Sequence, residues 1–520
     1  MRWQWKNLVY AADSPYGRIT IQAWGEQRAF YINGLLAFET QGMVAEEVVH
    51  FSLLAHSNPR DVLLIGGGAS GDLREINKHP IDQVTYVEVD PKLIQAAKIH
   101  LPTQDASIFD SSRVHLAFSD GRFFVKQELK HISQNTNQAT SEKWMQRQYD
   151  VIILDLPEPA TGSLNRFYTR EFFEEVRLLL KPEGILSLGL PSAENYWSKE
   201  LARRNASIYH TLKSVFPWVV VLPGDKNYFL ASPCQLPTDA QVLTKRLWER
   251  EIKTQWVTQS YIEYIFATDR FEQVRQELEQ TSDVRLNHDL KPICYYYDMV
   301  LWLSLFYPKL RPIFEGAGLF NFGWAIFLFF PLVILGNWRR HWAVPIALGI
   351  TGMVGMCLEL VLLFAFQALH GYVYAQVSLI ITAFIAGLAI GSWMSDKWLM
   401  TTNLSTMFVR RLLLGILLFM VVYSGLLPWI IKVHLPYPNL YFACLTIIAG
   451  ILDGMAFPLA LRLVKGNTGR MVGLMYGIDL VGGCLGAFFC AILFIPLLGV
   501  VQTCHLVALA SLCGAWFVFR

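Results

Sequence analysis

A glycine-rich turn between two apolar runs limits the folds open to this chain more than any other feature. The apolar run 62–65 is followed by six small residues, 66–71, and then by a helix start at 72–76. A second apolar run, 84–87, ends in Glu88. Glycines let a backbone approach a ligand and leave a helix N-terminus facing it, and an acid at the next strand tip can accept ribose hydroxyls. This order predicts a nucleoside site, with a purely structural turn as the alternative.

Strand and helix patterns alternate beyond this turn, which predicts a doubly wound α/β domain with a parallel sheet covered on both faces. Upstream, residues 17–40 predict short strands with a hairpin at Asn33-Gly34, followed by a helix over about 41–56. The polar stretch 132–141 predicts a surface loop, and a helical pair or a hairpin is predicted within 195–275. The strands are expected near 62–65, 84–88, 114–117, 150–154 and 185–190, and the helices near 72–78, 91–99, 121–130 and 169–180.

The composition changes sharply near residue 318. The apolar fraction of 53% is high for a soluble protein of this size, and the excess lies in 318–520, which holds ten Lys/Arg and four Asp/Glu. The preceding part is mildly acidic, which argues against nucleic acid as a partner. All eight Cys lie at or beyond Cys234 without a CxxC pair, so we expect reduced thiols, and the scattered His predict no metal site. The first six residues have no apolar core, so we expect no signal peptide and a cytoplasmic soluble half.

The apolar part predicts a polytopic all-α membrane domain, with the lipid bilayer as a partner. Basic residues cluster in alternate loops, and the positive-inside rule assigns those loops to the cytoplasm of a multi-pass inner (plasma) membrane protein. These loops hold Arg339/Arg340, Lys397/Arg410/Arg411 and Arg462/Lys465/Arg470. Stretches long enough to cross a bilayer lie near 318–337, 342–367, 373–395, 409–431, 440–461, 472–497 and 502–519, about seven in number.

One short apolar segment leaves the topology open. A cytoplasmic soluble half and a cytoplasmic Arg339 require an even number of crossings between them, whereas only 318–337 is clear. Residues 293–307 either cross as a tilted eighth span or lie in the interface while 318–337 re-enters. The predicted segments are a hairpin segment and helix at 1–58, a Rossmann-like domain at 59–290, an interfacial or spanning helix at 291–317 and a membrane domain at 318–520.

A series of linked motifs resembles the spermidine synthase group of polyamine aminopropyltransferases, which have a Rossmann-like, methyltransferase-type fold. The motifs lie at 62–75, 87–91, 119–124, 149–155, 167–173 and 180–186, and upstream at 14–19 and 31–34. The membrane half resembles a subgroup in which such a domain is fused to transporter-like spans, on residues 387–392 and 476–483. The resemblance implies transfer of an aminopropyl group from decarboxylated S-adenosylmethionine, a co-substrate, to an amine such as putrescine. No tightly bound cofactor is implied, and homo-oligomerisation is left open.

The resemblance also implies residue roles. Asp155 would take a proton from the attacking amine, which is nucleophilic only when neutral, and Glu158 and Glu46 would contact the amine substrate. On the nucleoside side, Glu88 would hold the ribose hydroxyls. The remaining donor contacts would come from Gly66, Gly67 and Gly68 at the turn and from Asp120 and Gly121 at the adenine.

The polyamine half of the implied site departs from the family pattern. The position that usually carries an acid for the donor's ammonium is Ala69, and the second loop acid, Glu158, follows the stiff Pro157. Asp72 is a possible substitute, although its position favours a helix cap. Two alternatives therefore stay open: an S-adenosylmethionine-dependent methyltransferase, and a non-catalytic nucleoside or polyamine sensor coupled to the membrane domain.

Three acids lie inside predicted spans, namely Glu359, Asp453 and Asp479. An ionisable group at that depth is costly and usually faces a cavity, a partner or a transport path. Acids along a path would suit a polycation, whereas the alternative is protonated acids bonded to neighbouring helices. Recurring glycines in the same spans favour close helix packing in either case.

Overall fold

The computed structural model describes residues 7–40, 42–134, 148–193, 197–318, 320–327, 334, 342–371, 374–401, 405–433, 436–464 and 469–520. The chain divides into two compact units, Met1–Asn287 and His288–Arg520. The finer division into four segments stays a prediction. Several sequence predictions fall outside the described residues: the N-terminal hexapeptide, residues 135–141 of the predicted loop 132–141, most of the span 318–337, and Arg339, Arg340 and Lys465. The loop prediction is wrong for residues 132–134, which continue the helix Gly121–Gln134.

The first unit begins with a four-stranded antiparallel sheet in the order β1-β2-β3-β4. Its last turn is the predicted Asn-Gly hairpin, in which Asn33 and Gly34 have φ of 54° and 84°, the left-handed geometry that favours this pair. The first strand was not predicted. The strands are β1 Leu8–Ser14, β2 Gly17–Trp24, β3 Gln27–Ile32 and β4 Leu35–Glu39, and helix α1 follows at Val44–Ala55.

The large sheet of this unit has seven strands in the order β10-β11-β9-β8-β5-β6-β7. Its central strands are buried on both faces, and the first apolar run of the sequence is at most 2% exposed. The strand order reverses direction at β5, as in doubly wound folds. The strands are β5 Asp61–Gly66, β6 Gln83–Glu88, β7 Val114–Phe118, β8 Tyr149–Asp155, β9 Leu180–Pro191, β10 Trp218–Leu222 and β11 Lys226–Ser232.

The predicted parallel strands β5 to β9 are confirmed. A hairpin, one of the two alternatives predicted within 195–275, extends the sheet beyond β9. Strand β11 runs antiparallel to both β9 and β10. The cause is the short connection between β10 and β11, because a hairpin can join only antiparallel strands. The predicted strands and helices of residues 62–190 are all present.

Helices flank this sheet and close the unit. A short helix after α3 and the helices after β11 go beyond the detailed prediction. In chain order they are α2 Asp72–Ile76, α3 Pro91–His100, α4 Thr103–Ile108, α5 Gly121–Gln134, α6 Gly162–Asn165, α7 Arg170–Leu179, α8 Lys199–Lys213, α9 Ala240–Glu249, α10 Gln259–Ala267 and α11 Asp269–Gln280.

The regular elements in the described part of the second unit are all helices. Three shorter helices, α12 Ile293–Phe306, α13 Arg311–Ala317 and α14 Phe322–Phe327, precede the long ones. Helix α12, with 14 residues, is about 21 Å long, shorter than the roughly 30 Å of a bilayer core. The long helices are α15 Ala343–His370, α16 Tyr374–Thr401, α17 Thr406–Ile430, α18 Pro438–Leu463, α19 Gly469–Phe489 and α20 Gly499–Phe519, with a π-helical segment Cys490–Leu498 before the last.

Within the described residues, five helices are long and apolar enough to cross a membrane, where the sequence predicted about seven spans. Four match predicted spans one to one. The predicted spans 472–497 and 502–519 lie together in one helical stretch, Gly469–Phe519. Gly499, with φ of 80°, interrupts the regular helical backbone of that stretch at the boundary that the sequence predicted.

Candidate active site

The glycine turn, Glu88 and Asp155 all lie at the carboxyl edge of the large sheet. They end β5, β6 and β8 respectively, and Gly66 pairs directly with Asp155 across β5 and β8. In open α/β sheets, ligands bind at this edge where the strand order reverses. The fold therefore brings together the three features that the sequence placed at strand ends.

Gly67 is the position where the turn comes closest to the acids. Its φ is 70°, a left-handed conformation that costs other residues about 1–2 kcal/mol. A Cβ there would lie 2.5 Å from Asp155 Oδ2 and would also collide with the Asp72 carboxylate. Its neighbour Gly68 lies against the ring of Tyr86, whose Cζ would be 2.5 Å from an added Cβ. The protein's own packing thus requires both glycines, whatever ligand they hold.

The carboxylate of Glu88 is held in one orientation by three hydrogen bonds. Tyr86 donates its hydroxyl to Oε2 at 2.8 Å, while the backbone N–H groups of Val89 and Asp90 donate to Oε1 at 2.8 and 3.2 Å. Burial raises the pKa of Glu88, although these three bonds oppose the shift. Tyr86 could have been found from sequence, because residues i and i+2 of a strand share a face.

The structure gives Asp120 and Gly121 clear local roles. Asp120 Oδ1 accepts the N–H groups of Arg122 and Phe123 at 3.1 Å each, which caps the start of α5. The other oxygen of Asp120 pairs with the buried Arg166. A Cβ on Gly121 would lie 2.5 Å from Ile65 Cγ2, so close packing on β5 requires a glycine there. Their contact with adenine stays a prediction.

Asp72 is not the helix cap that its position favoured. Gly71 occupies the cap position, with φ of 116°, and Asp72 is the first residue of α2, without a side-chain capping bond. Its side chain is 0% exposed, and neither carboxylate oxygen receives a hydrogen bond from a donor in the described chain. It points instead toward Gly67 and Asp155. Burial raises the pKa of Asp72 well above its usual value, and the Asp155 charge raises it further, while Lys226 lowers it.

The two predicted contacts with the amine substrate lie in different settings. Glu46 is buried, and its oxygens accept the backbone N–H groups of Gln255, Trp256 and Val257 at 2.8–2.9 Å. This anchors the 255–257 loop, so the carboxylate is already occupied by the protein. Glu158 is half-buried in the loop after β8, where the Tyr168 hydroxyl donates to the carbonyl groups of residues 156 and 157.

Sequence reasoning missed Glu47, whose carboxylate accepts hydrogen bonds from three aromatic side chains. Trp256 Nε1 and the Tyr228 hydroxyl both donate to its carboxylate at 3.1 Å, and the Tyr261 hydroxyl donates to it as well. Tyr228 lies in β11 and is 2% exposed. Burial raises the pKa of its hydroxyl well above the usual value, and the charges of Glu47, Asp155 and Asp72 raise it further. Glu47 was missed because it is adjacent to Glu46, and two successive acids are typical of the solvated face of a helix.

The N-terminal sheet also reaches this edge. The Ser14 hydroxyl donates to Asp90 Oδ2 at 2.6 Å, just beyond the end of β6. Burial raises the pKa of Tyr16, and the charges of Asp90, Asp120 and Glu88 raise it further. The turn between β1 and β2 therefore lies beside the acids that the sequence assigned to a nucleoside.

A family model described as the spermine/spermidine synthase domain matches residues 41–224. The polyamine aminopropyltransferase of Korarchaeum cryptofilum is 38% identical over 141 residues, which cover 27% of this chain and 38% of the relative. That of Pyrobaculum arsenaticum is 30% identical over 220 residues, covering 40% of this chain and 69% of the relative. This chain belongs to the spermine/spermidine synthase family. The resemblance carried by its motifs is thereby confirmed.

Among solved structures, a spermidine synthase in complex with the transition-state analogue AdoDATO shares 23% identity with this family member. The match has a TM-score of 0.41 and covers 53% of this chain and 88% of that one. The share of each of these two curated relatives that this chain covers varies, from 38% of the Korarchaeum protein to 69% of the Pyrobaculum protein.

Proposed function

We propose that this protein is a membrane-anchored aminopropyltransferase. It transfers an aminopropyl group from decarboxylated S-adenosylmethionine to an amine such as putrescine. Membership in the spermine/spermidine synthase family supports this proposal. The observation that carries it is the half-buried Asp155 at the end of β8, in contact distance of the Gly67 backbone position and on the same sheet edge as Glu88.

Aminopropyl transfer requires alignment of the two substrates more than activation of the donor. The sulfonium of the donor is already a good leaving group, so the acceptor nitrogen must be held in line with the carbon that it attacks. The nitrogen forms a new C–N bond as the C–S bond breaks, and methylthioadenosine leaves with the bonding electrons on sulfur. Asp155 accepts the proton that the amine loses. Glu88 fixes the ribose, since its carboxylate is already oriented by Tyr86 and two backbone amides.

The experiment is an assay of the full-length protein in detergent with the donor and putrescine. We expect methylthioadenosine and spermidine in equal amounts, and far less of either from Asp155→Asn. A matched control is Asp82→Asn, an exposed acid at the opposite end of β6. Equal product from wild type and Asp155→Asn would refute the assignment.

We infer that the helical unit holds the enzyme at the inner membrane with the transferase on the cytoplasmic side. The five long apolar helices support anchoring, and the clustered basic loops support this orientation. Fractionation of cells and protease treatment of sealed vesicles of known orientation test it. Protection of the soluble unit in inside-out vesicles would contradict the assigned side.

One observation favours a second candidate, a sensor coupled to a membrane transport function. Asp453 and Asp479 come from different helices, and both carboxylates pack against glycine positions of α15. Flux of a labelled polyamine into proteoliposomes tests it, with Asp453→Asn and Asp479→Asn as variants. Flux that these substitutions leave unchanged would remove the basis for this candidate.

A further inference from the structure

Two carboxyl groups meet at the glycine turn, the fully buried Asp72 and the half-buried Asp155. Asp72 and Asp155 both lie against the position that a Cβ on Gly67 would occupy. Asp72 is fully buried, and no donor in the described residues bonds to its oxygens. Leaving a buried carboxylate without a donor is costly, so this arrangement points to a ligand that supplies one.

The nearby charged groups do not satisfy Asp72. Lys226 acts on it through space, but no ion pair joins the two within the described part of the chain. Glu75, the other acid that acts on it, is engaged by His50 and Lys78. Asp155 is an acceptor itself, so the two carboxyl groups can bond only by sharing one proton.

The position that usually carries the ammonium anchor offers no alternative. Ala69 is 5% exposed and packs in the apolar core of the soluble unit. Its methyl group lines a cleft with Phe38, Leu101 and Phe109. The acid that faces Asp155 therefore comes from Asp72, three residues further along the chain.

We propose that Asp72 binds the ammonium of the donor's aminopropyl group beside Asp155, an inference that rests on the proposed aminopropyl transfer. The ammonium takes the place of the shared proton, which leaves to solvent. Both carboxyl groups are then ionised, and Asp155 is ready to act as the base. The same acid selects the donor, because the α-carboxylate of S-adenosylmethionine would lie against Asp72 and be repelled. Asp72 is thus a specificity-determining residue that disfavours methyl transfer.

Calorimetry on the full-length protein in detergent tests this with two nucleosides. Decarboxylated S-adenosylmethionine carries the ammonium, whereas methylthioadenosine shares its nucleoside but lacks the aminopropyl chain. We expect Asp72→Asn to weaken the first by about 30-fold or more, as for loss of one partner of a buried charge pair. Methylthioadenosine affinity should stay within about twofold, which also shows that the variant is folded. Asp82→Asn, a surface acid, should change neither.

Proton release gives a second readout. Titrations in buffers of different ionisation enthalpy should show a proton released when wild type binds decarboxylated donor at neutral pH, and none when it binds methylthioadenosine. Asp72→Asn should abolish the release. Equal weakening of both nucleosides, or no weakening of either, would overturn the role of Asp72 while leaving the proposed transferase in place. A wild-type protein that binds neither nucleoside would refute the transferase and this inference together.

Discussion

Acids come together in both units of this chain, but the surroundings differ. In the soluble unit, Asp72 and Asp155 converge at a sheet edge where strands end. In the helical unit, Asp453 and Asp479 project from the middle of long helices against α15, and a Cβ on Gly355 would collide with the Asp453 carboxylate. No ion pair links Asp453 or Asp479 to a basic residue among the described residues.

The difference shows that the role of an acid without a basic partner depends on the secondary structure that surrounds it. The carboxyl edge of an open α/β sheet is where ligands bind, so an acid there can exchange a proton for a ligand. An acid inside a helix bundle lies among apolar neighbours, and small residues on the facing helix leave the space that its side chain occupies. We therefore assign a ligand-binding role to the first arrangement as a proposal, whereas the glycine contacts of the second indicate helix packing.

The largest expected effect concerns Asp155. Asp155→Asn removes the proton acceptor, and general base catalysis contributes about 100- to 10,000-fold, so we expect kcat for methylthioadenosine formation to fall by that factor. Asp453→Asn, in the helical unit, should leave this kcat unchanged. A loss of similar size from Asp453→Asn would contradict the contrast between the two acid groups.

Gly67→Ala should weaken binding of methylthioadenosine by at least about tenfold, because the methyl group fills the space beside Asp155 and Asp72. Gly25→Ala is the matched control, since Gly25 has φ of 60° with nothing within 4 Å of an added Cβ. Both variants carry the backbone strain of about 1–2 kcal/mol, but only the first intrudes on the site. Equal affinities of the two variants, measured by calorimetry, would contradict a nucleoside site at this turn.

In the helical unit, Gly355→Ala should lower the unfolding temperature in detergent, because overpacking costs about 1–3 kcal/mol. Gly415→Ala should not lower it, because nothing lies within 4 Å of its added Cβ and alanine favours a helix interior more than glycine does. Nucleoside affinity should be the same in both. An unfolding temperature unaffected by Gly355→Ala would mean that the Asp453 carboxylate moves freely, as a transport path would require.

Glu46→Gln decides between a structural and a substrate role for that acid. We expect a loss of about 1–3 kcal/mol of stability, since an amide cannot accept all the N–H groups of the 255–257 loop. The KM for putrescine should not change. A raised KM at unchanged stability would support the substrate contact that the family resemblance implies.

The smallest effect is a pH dependence of stability that Asp72→Asn should remove. Burial, with the Asp155 charge, raises the pKa of Asp72, so the native state keeps a proton that the unfolded chain loses. Stability therefore falls as pH rises from about 4, the usual pKa of aspartate, through the raised value. Asn does not titrate, so the unfolding temperature of Asp72→Asn relative to wild type should increase over that range. Unfolding temperatures that change with pH in the same way in both proteins would show that Asp72 does not hold this proton.

Local sequence signals predicted most of the soluble fold. The apolar runs, the glycine turn and the Asn-Gly pair act through neighbouring residues, so they identified β5 to β9 and the last hairpin of the N-terminal sheet. Strand β1 was missed although its partner β2 is adjacent in the chain. The hairpin of β10 and β11 was one of two predicted alternatives, but its place in the sheet could not be predicted because β11 pairs with β9, which precedes α8 in the chain. The same limit applied to Glu46, whose partners lie about 210 residues away.

Sequence alone determined the alternation of elements, the apolar second half, the family and the set of acids at strand ends, because each is written in local order and composition. Only the tertiary structure decided that Asp72 faces Asp155 instead of capping α2. The reason is physical: the left-handed Gly71 takes the cap position, and the glycine at 67 leaves room for Asp72 of α2 and Asp155 of β8 to approach the same point.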